Sequence, residues 1–457
     1  MKFRGGVHPA YHKDTAGLQI EAMPLLHRYV VPIAQHLGAP GKVLVAKGDR
    51  VARWQPLSEP VGFVSVPVHA PTSGTVKQVA ALPHPLGRPM LAVEIESDGE
   101  DRPWEGLAPP ADWRRLEPAA LRRAIQAAGV VGMGGATFPT HVKLSPPAEK
   151  KVDLLILNGA ECEPYLTADH RVMLEQAAEV MEGLGLMMRV LGVTRACVGI
   201  ESNKPDALEA LRRACPADVA AEFKLLETKY PQGSEKHLIY ALCGRRVPPG
   251  GLPMDVGCVV QNVGTAVACL EAVRDGLPMT ERVATVTGAA INVPHNLRVR
   301  VGAPLLDVLA HCGGVTPDVG KVIFGGPMMG IGQFDMDVPL IKGTSGVLCL
   351  RDDEAVLFEG GPCIRCGACV DACPMGLVPS AMGLIAERFR FEELGDWHIL
   401  DCIECGSCAY VCPSRRPLVQ HFKRGKAEWR EILDERRAKA EREAEREAER
   451  AAAATTA

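Results

Sequence analysis

The chain has 457 residues, of which 47% are hydrophobic and 23% charged, and it is long enough for about three globular domains. Its net charge of −4 gives no electrostatic reason to expect a nucleic acid as a partner. No apolar run approaches the roughly 18 residues needed to cross a bilayer, and the polar amino terminus lacks a signal-type apolar core. Any membrane association is therefore expected to come through partner proteins.

An irregular arm is predicted for residues 1–29, followed by a small all-β module at residues 30–100. The expected strands of this module are short segments broken by Gly and Pro, at residues 42–45, 62–68 and 74–79. The segment at residues 69–76 resembles half of a biotinyl or lipoyl barrel. Because no carrier lysine is evident, we interpret the module as a structural barrel-sandwich. A Pro- and Trp-containing linker is expected at residues 103–113.

Helices alternate with short apolar strands between residues 114 and 281. This alternation predicts an α/β domain with a parallel sheet covered on both faces. The expected strands lie at residues 152–157 and 196–200, and the expected helices at residues 119–128, 169–191 and 205–214. Asp169 is the expected cap of the second helix. Ligands of such sheets bind at the carboxyl ends of the strands.

Three further regions complete the predicted organisation. Residues 282–335 resemble the β-grasp module of electron-transfer flavoproteins, and residues 353–424 form a helical, cysteine-rich domain of ferredoxin type. The strands of the β-grasp module are expected at residues 283–287, 298–301 and 321–324, and its helix at residues 304–312. Residues 425–457 form a charged tail, which we interpret as a solvated helix rather than a partner-docking one. The only apolar stripe of the tail consists of Trp429, Ile432 and Leu433.

Eight of the sixteen cysteines repeat the pattern C-x2-C-x2-C-x3-C-P. This bacterial run places three thiolates on one iron–sulfur cube and sends the fourth to the other cube. It therefore predicts two [4Fe-4S] clusters. One is expected on Cys363, Cys366, Cys369 and Cys412, and the other on Cys402, Cys405, Cys408 and Cys373. Structural zinc normally uses two separated C-x2-C pairs, and the remaining thiols lack the regular spacing of a disulfide framework.

A glycine-rich segment at residues 132–144 reads GMGGATFPTHVKL. Its glycines let the backbone lie against a flat ring or a phosphate. The segment is not the dinucleotide fingerprint, because it follows a predicted helix and reads G-x-G-G. Taken alone, it is also compatible with a simple glycine-rich turn.

Polar residues directly after the strand at residues 152–157 support a ligand site. Asn158 offers an amide, while Glu161 and Glu163 can accept hydrogen bonds from ribose hydroxyls or a carboxamide. The two carboxylates could instead act as general acid and base. Two later loops, at residues 229–238 and 259–266, precede predicted helices whose amino termini favour phosphate.

Together with the start FRGGVHP and the cysteine runs, these motifs resemble the RnfC subunit of the Rnf electron-transport complex over residues 3–424. The flavin-binding subunit of respiratory complex I is a more distant relative. The resemblance implies that NADH gives a hydride to FMN and that single electrons then pass through the two clusters to partner subunits. Those partners include membrane subunits and, indirectly, ferredoxin, with electron transfer coupled to ion transport. It also implies a peripheral position on the cytoplasmic side of the inner membrane.

The same resemblance implies the site residues. Those matching the family's flavin contacts are Gly132, Gly134, Lys143, Asn158, Glu161, Cys162, Tyr230, Gly233, Ser234, Glu235, Asn262 and Thr265. Phe138 and Glu163 match positions that the complex I relative uses for the nicotinamide nucleotide. Met133 and Thr137 stand where that relative has arginine and glycine. No catalytic side chain is expected, because the protein positions the cofactors and tunes their potentials.

Three other functions remain open on the sequence. The first is a flavin and iron–sulfur cobalamin reductase of a bacterial microcompartment, which resembles the same family. The second is a non-catalytic electron relay that carries clusters and docks partners. The third, a quinone reductase subunit, resembles only the amino-terminal half and lacks the cysteine runs.

Overall fold

The computed structural model describes residues 1–107, 112–355 and 360–455. The chain divides into two compact units. The first comprises Met1–Lys2 and His8–Val356, and the second comprises Phe3–Val7 and Leu357–Ala457. Among the described residues, no helix is both long and apolar enough to span a membrane.

An antiparallel sheet near the amino terminus forms the first module of the first unit. The strands of this region are β1 (Ile20–Ala22), β2 (Arg28–Pro32), β3 (Lys42–Val43), β4 (Arg50–Val51), β5 (Ser58–Glu59), β6 (Gly74–Leu82) and β7 (Met90–Ser97). Four of them form a sheet in the order β2-β7-β6-β4, and β3 pairs with β5. The strand predicted at residues 62–68 is wrong, because this segment is irregular although Val66 and Val68 are buried. Pro67 between them has no N–H to donate to a ladder.

A four-stranded parallel sheet, in the order β10-β9-β8-β11, forms the centre of the first unit. Its strands are β8 (Leu154–Gly159), β9 (Ala196–Glu201), β10 (Ala221–Leu226) and β11 (Cys258–Asn262). Its helices are α1 (Pro118–Ala127), α2 (Thr140–Lys143), α3 (Ala168–Glu175), α4 (Ala177–Leu191), α5 (Pro205–Ala214), α6 (Glu235–Cys243) and α7 (Val263–Leu270). The predicted parallel sheet and the predicted helix at residues 205–214 are confirmed.

The single helix predicted for residues 169–191 is wrong. Two helices occupy this range, separated at Gln176, whose φ of −125° and ψ of 34° lie outside the helical region. Both halves pack against α5 and α7, and α3 also packs against the strand at Glu281–Thr287 whereas α4 also packs against α1. Asp169 is not the cap either, because Thr167 precedes the first turn and the carboxylate of Asp169 accepts from the side-chain amide of Asn262 at 2.6 Å.

A six-stranded mixed sheet covers the rest of the first unit. Its later strands are β12 (Glu281–Thr287), β13 (His295–Arg300), β14 (Val319–Phe324), β15 (Ile331–Gln333) and β16 (Gly346–Arg351), and its helix is α8 (Leu305–His311). The order is β1-β13-β12-β16-β14-β15, so the sheet extends past the predicted 282–335 module on both sides. The arm predicted to be irregular supplies β1, which pairs in parallel with β13. One core joins this sheet to the amino-terminal module, with Tyr29 and Val31 packed among Val286 and Leu297.

The second unit is helical. Its helices are α9 (Ala368–Asp371), α10 (Pro379–Glu387), α11 (Ser407–Tyr410) and α12 (Leu418–Thr455). Within this unit the backbone N–H of Gly6 donates to the carbonyl of Ala372 at 2.9 Å. The expectation of a wholly solvated tail is wrong for the start of α12. Lys426 is buried there, and Trp429 packs so closely on Gly395 that a Cβ on that glycine would lie 2.5 Å from the indole ring.

Candidate functional site

The predicted ligand segments meet at the carboxyl ends of β8 and β11. Asn158 and Asn262 are paired residues at the ends of these two strands. The glycine-rich segment lies over the start of α7, where the N–H of Met133 donates to Oγ1 of Thr265 at 3.0 Å. A Cβ on Gly134 would lie 2.9 Å from Nδ2 of Asn262, so the approach of these two segments requires a glycine.

The loop before α6 closes the other side of the site. Nδ2 of Asn158 donates to the carbonyl of Gly233 at 2.9 Å, and the N–H of Gly233 donates to Sγ of Cys162 at 3.3 Å. The ammonium of Lys143 pairs with the carboxylate of Glu235 at 2.5 Å. These contacts bring four segments that are distant in sequence into one site.

The residues present fit a flavin. Gly134 and Gly135 are exposed, and a Cβ on Gly135 would meet no described atom within 4 Å, so this backbone is open to a flat ligand. Gln232 was not predicted as a site residue. It is only 3% exposed, and its Nε2 has no hydrogen-bond partner among the described residues. A buried unpaired amide is costly, and a bound polar ligand is one way to satisfy it. The only sequence signal for this glutamine was its place in the loop at residues 229–238.

Thr137 adopts a conformation that favours glycine. Its φ is 51°, in the left-handed region, where a β-branched residue is strained by roughly 1 kcal/mol or more. The turn around it is closed by the N–H of Gly132, which donates to the carbonyl of Phe138 at 2.9 Å. A glycine at residue 137 would adopt this backbone conformation without that strain.

The two predicted acidic residues hold protein backbone. The carboxylate of Glu161 accepts from the N–H groups of Asp169 and His170, at 2.7 and 3.2 Å, and so caps the first turn of α3. The carboxylate of Glu163 accepts from the N–H groups of Met328 and Met329, at 3.1 and 2.8 Å. Burial raises the pKa of each carboxyl to about 7. This geometry gives no support to an acid–base pair, and the contact of Glu163 with a nucleotide stays a prediction.

Other predicted site residues hold protein groups as well. The side-chain oxygen of Asn262 accepts from the N–H of Gly264 at 2.8 Å and caps α7. Thr265 is fully buried. Burial raises the pKa of the Cys162 thiol to about 12, so this sulfur is a neutral acceptor at neutral pH. Tyr230 is buried and Ser234 precedes the first residue of α6, both in the same loop.

Two cavities in the second unit are lined by cysteines. The first is lined by Cys363, Cys366, Cys369 and Cys412. The second is lined by Cys373, Cys402, Cys405 and Cys408. The structure therefore brings Cys412 beside the first run and Cys373 beside the second, and cluster binding by these two sets stays a prediction. Within the described ranges, no three His, Cys, Asp or Glu side chains converge closely enough to hold one metal ion. Thiols spaced around a cavity fit a cubane cluster, which has an extended surface, better than a single ion.

The two cysteine runs have the same backbone geometry. Gly367 and Gly406, each directly after the second cysteine of its run, have φ values of 82° and 80°. The residues directly before those cysteines, Arg365 and Glu404, both have a φ of 56°. The surroundings differ, however, because Cys366 is exposed whereas Cys405 and Cys408 are buried. The ammonium of Lys426 lies beside the second run and donates to the carbonyl of Cys402 at 2.7 Å.

Four segments of the chain match known protein families. The matching families are the RnfC barrel sandwich hybrid domain at residues 1–100, the Nuo51 FMN-binding domain at residues 125–271, the SLBB domain at residues 283–332 and the 4Fe-4S dicluster domain at residues 362–416. These matches confirm the predicted multidomain α/β fold and the predicted cofactors, FMN and [4Fe-4S] clusters. The NAD⁺-reducing [NiFe]-hydrogenase in its H2-reduced state has a similar fold, with a TM-score of 0.50 and 21% identity. The match covers 70% of this chain and 64% of the hydrogenase chain.

Curated relatives extend over almost the whole chain. The subunit designated C in the proton-translocating ferredoxin:NAD⁺ oxidoreductase complex of Clostridium ljungdahlii is 47% identical, over 96% of both chains. Its counterpart in the Na⁺-translocating complex of Acetobacterium woodii is also 47% identical, over 95% of this chain and 98% of the relative. The corresponding subunit of the ion-translocating oxidoreductase complex of Rhodobacter capsulatus is 44% identical, over 92% of this chain and 82% of the relative. The chain therefore belongs to the RnfC family of subunits of ion-translocating ferredoxin:NAD⁺ oxidoreductase complexes.

Proposed function

We propose that this chain is the NADH-oxidising, electron-input subunit of a membrane-bound Rnf-type complex. The observation that carries the proposal is the presence, in one chain, of an open glycine-lined site at the ends of β8 and β11 and of two cavities that each contain four thiols. Such a chain can take electrons in pairs from a nicotinamide and pass them on singly. The acceptors are other subunits of the complex, including membrane subunits, and indirectly ferredoxin.

Bound FMN supplies the chemistry that accepts a hydride and releases electrons one at a time. The protein's own residues do the positioning. Gly135 leaves the backbone open where a flat ring could approach, and Gly134 lets the segment lie against Asn262. The amide of Asn158 fixes the loop that carries Gly233, and Lys143 places a positive charge at the same site. Positive charge and helix amino termini favour phosphate.

The thiol sets would hold the two clusters, one at Cys363, Cys366, Cys369 and Cys412 and the other at Cys402, Cys405, Cys408 and Cys373. Burial raises the pKa of the Cys402 thiol to about 11, so its thiolate depends on the positive charge of iron. Exposure and nearby hydrogen bonds influence cluster potentials. The first set includes the exposed Cys366, whereas the second set contains no exposed thiol, so the two clusters would differ in potential.

Membership of the family supports a peripheral position on the cytoplasmic side of the inner membrane. Relatives are named as subunits of complexes that translocate protons or Na⁺ and act on ferredoxin and NAD⁺. We propose that this chain contributes to the same kind of complex and that its contact with the membrane is made through partner subunits.

The test is an anaerobic titration of the full, cluster-reconstituted chain with NADH in the presence of added FMN. Bleaching of both the flavin and the iron–sulfur absorption is expected, and the same titration without FMN should leave the clusters oxidised. If NADH bleaches nothing while dithionite still reduces the clusters, the chain is a relay rather than an NADH oxidase. Reduction of cobalamin by the NADH-reduced chain at a rate above that of free reduced FMN would favour the cobalamin reductase.

A further inference from the structure

The ammonium of Lys13 lies in a ring of three backbone carbonyls. Nζ donates to the carbonyl oxygens of Glu161 at 2.9 Å, Glu163 at 2.8 Å and Leu166 at 2.5 Å. An ammonium has three N–H donors, so each of them has one acceptor. Burial lowers the pKa of Lys13, and the nearby carboxylate of Glu161 opposes that shift. Lys13 therefore acts as a donor that joins three carbonyls of one loop.

The loop that Lys13 holds has little secondary structure of its own. Residues 160–167 lie in neither a helix nor a strand, between the end of β8 and the start of α3. Two of them, Glu161 and Tyr165, have positive φ values of 45° and 69°. Backbone of this kind persists only where surrounding groups hold it, and its carbonyls need partners from elsewhere. Lys13 supplies three of those hydrogen bonds.

Neighbouring residues of the arm reinforce the same contact. The N–H of Tyr165 donates to the carbonyl of Tyr11 at 2.8 Å, and the ring of His12 stacks on that of Tyr165 with centroids 4.7 Å apart. The hydroxyls of Thr15 and Thr167 are hydrogen-bonded at 2.6 Å. The arm thus follows the loop from one end to the other, with Lys13 at the centre.

We infer that Lys13 is a positioning residue of the flavin site, which acts by fixing the backbone that presents Glu161 and Cys162. This inference rests on the proposed function, since it concerns the same FMN site. Lys13 lies 148 residues before Glu161, and no motif identifies it. Its role follows from the contacts of its ammonium with the loop and from the position of that loop directly after β8.

The test compares Lys13→Met in the full, cluster-reconstituted chain with the wild type and with Lys47→Met, a matched change of an exposed lysine in the amino-terminal module. The dissociation constant for FMN is measured anaerobically by quenching of flavin fluorescence. Because several hydrogen bonds to a charged group are lost, Lys13→Met is expected to weaken binding by about tenfold or more. Lys47→Met should leave the constant unchanged, and Lys13→Arg, which keeps charge and donors, should recover part of the loss.

Hydrogen exchange separates positioning from general destabilisation. In Lys13→Met, amides of residues 161–167 should exchange faster, while those of strand β7 in the amino-terminal module keep their protection. A wild-type dissociation constant, or a rise in exchange over the whole first unit, overturns the inference. Should Lys13→Met not fold, Lys13→Gln, which keeps two N–H donors, carries the same test with the same criteria. If the wild-type chain itself binds no FMN, the proposed function fails, which is a different result.

Discussion

The flavin site and the cysteine cavities are held together in different ways. In the second unit each cavity is lined by thiols from two short runs, and the backbone conformations at Gly367 and Gly406 repeat between the runs. In the first unit the site is assembled from loops that are fixed by residues far away in sequence, such as Lys13 and Thr265. A local repeat can be read from sequence spacing, whereas a site fixed by long-range contacts depends on the whole fold.

Replacing one cluster ligand should have the largest effect and should separate the two regions. Cys366→Ser removes one of four thiols from the first cavity, so we expect about half of the iron to be lost. Reduction of the flavin by NADH should survive, because the flavin site contains none of these cysteines. Iron analysis and an anaerobic NADH titration measure the two outcomes.

The control for this variant is Cys215→Ser, the same change at a partly exposed thiol outside both runs, which should keep all the iron. If the flavin of Cys366→Ser could no longer be bleached by NADH, the two regions would not be separable in this way. The proposed order of electron transfer would then be incorrect.

A methyl group added to the glycine-rich segment should have the next largest effect. In Gly134→Ala the new Cβ would lie 2.9 Å from Nδ2 of Asn262, whose side chain is already held by Asp169 and Gly264. Overpacking of this kind costs about 1–3 kcal/mol, and we expect FMN to bind roughly tenfold more weakly. The dissociation constant from fluorescence quenching tests this.

Gly332→Ala in strand β15 is the matched control, because its Cβ would meet no described atom of the protein within 4 Å. Equal weakening by both variants would mean that FMN binding responds to any change from glycine to alanine. The packing against Asn262 would then not be the reason for the glycine at residue 134.

The difference between the regions also explains what the sequence could predict. The parallel sheet and helix α5 were predicted because their apolar patterns are local. The two sets of cluster ligands could be proposed from the sequence because one spacing rule covers all eight cysteines. The break at Gln176 was missed because no glycine or proline stands beside it in the sequence. No signal in the sequence marked Lys13 or strand β1, since their partners lie far along the chain.

A smaller effect, on stability, is expected for a substitution at the start of α12, which belongs to the packed core of the second unit. Trp429→Ala removes the ring that packs on Gly395 and lies under Arg436, with the guanidinium 5.3 Å from the ring centroid. We expect a loss of about 1–2 kcal/mol, since the indole is only partly buried. Denaturant unfolding of the reconstituted chain measures it. The control is Glu441→Ala, a change of an exposed residue on the same helix, which should leave the free energy of unfolding unchanged. If Glu441→Ala lost as much stability as Trp429→Ala, the assignment of Trp429 to the core would be contradicted.

The smallest expected effect concerns Glu163 and the dependence of stability on pH. Burial raises the pKa of this carboxyl to about 7 in the folded chain, above its value of roughly 4.3 when unfolded. The unfolded chain therefore gives up the proton at lower pH, and the stability contributed by the protonated carboxyl is lost as pH rises through about 7. Between pH 6 and 8 the free energy of unfolding is expected to fall by roughly 1 kcal/mol for this reason.

Glu163→Gln cannot ionise, so its melting temperature should fall less between pH 6 and 8 than that of the wild type. The exposed change Glu105→Gln should follow the wild type.

The loop around Glu163 is fixed by contacts from other segments, here the N–H groups of Met328 and Met329. A carboxylate is a better acceptor for them than an amide oxygen, so Glu163→Gln should also be less stable than the wild type at pH 8 if those hydrogen bonds outweigh burial. The stability of Glu163→Gln relative to the wild type at pH 8 therefore shows which effect on the ionised carboxyl is larger, its hydrogen bonds or its desolvation.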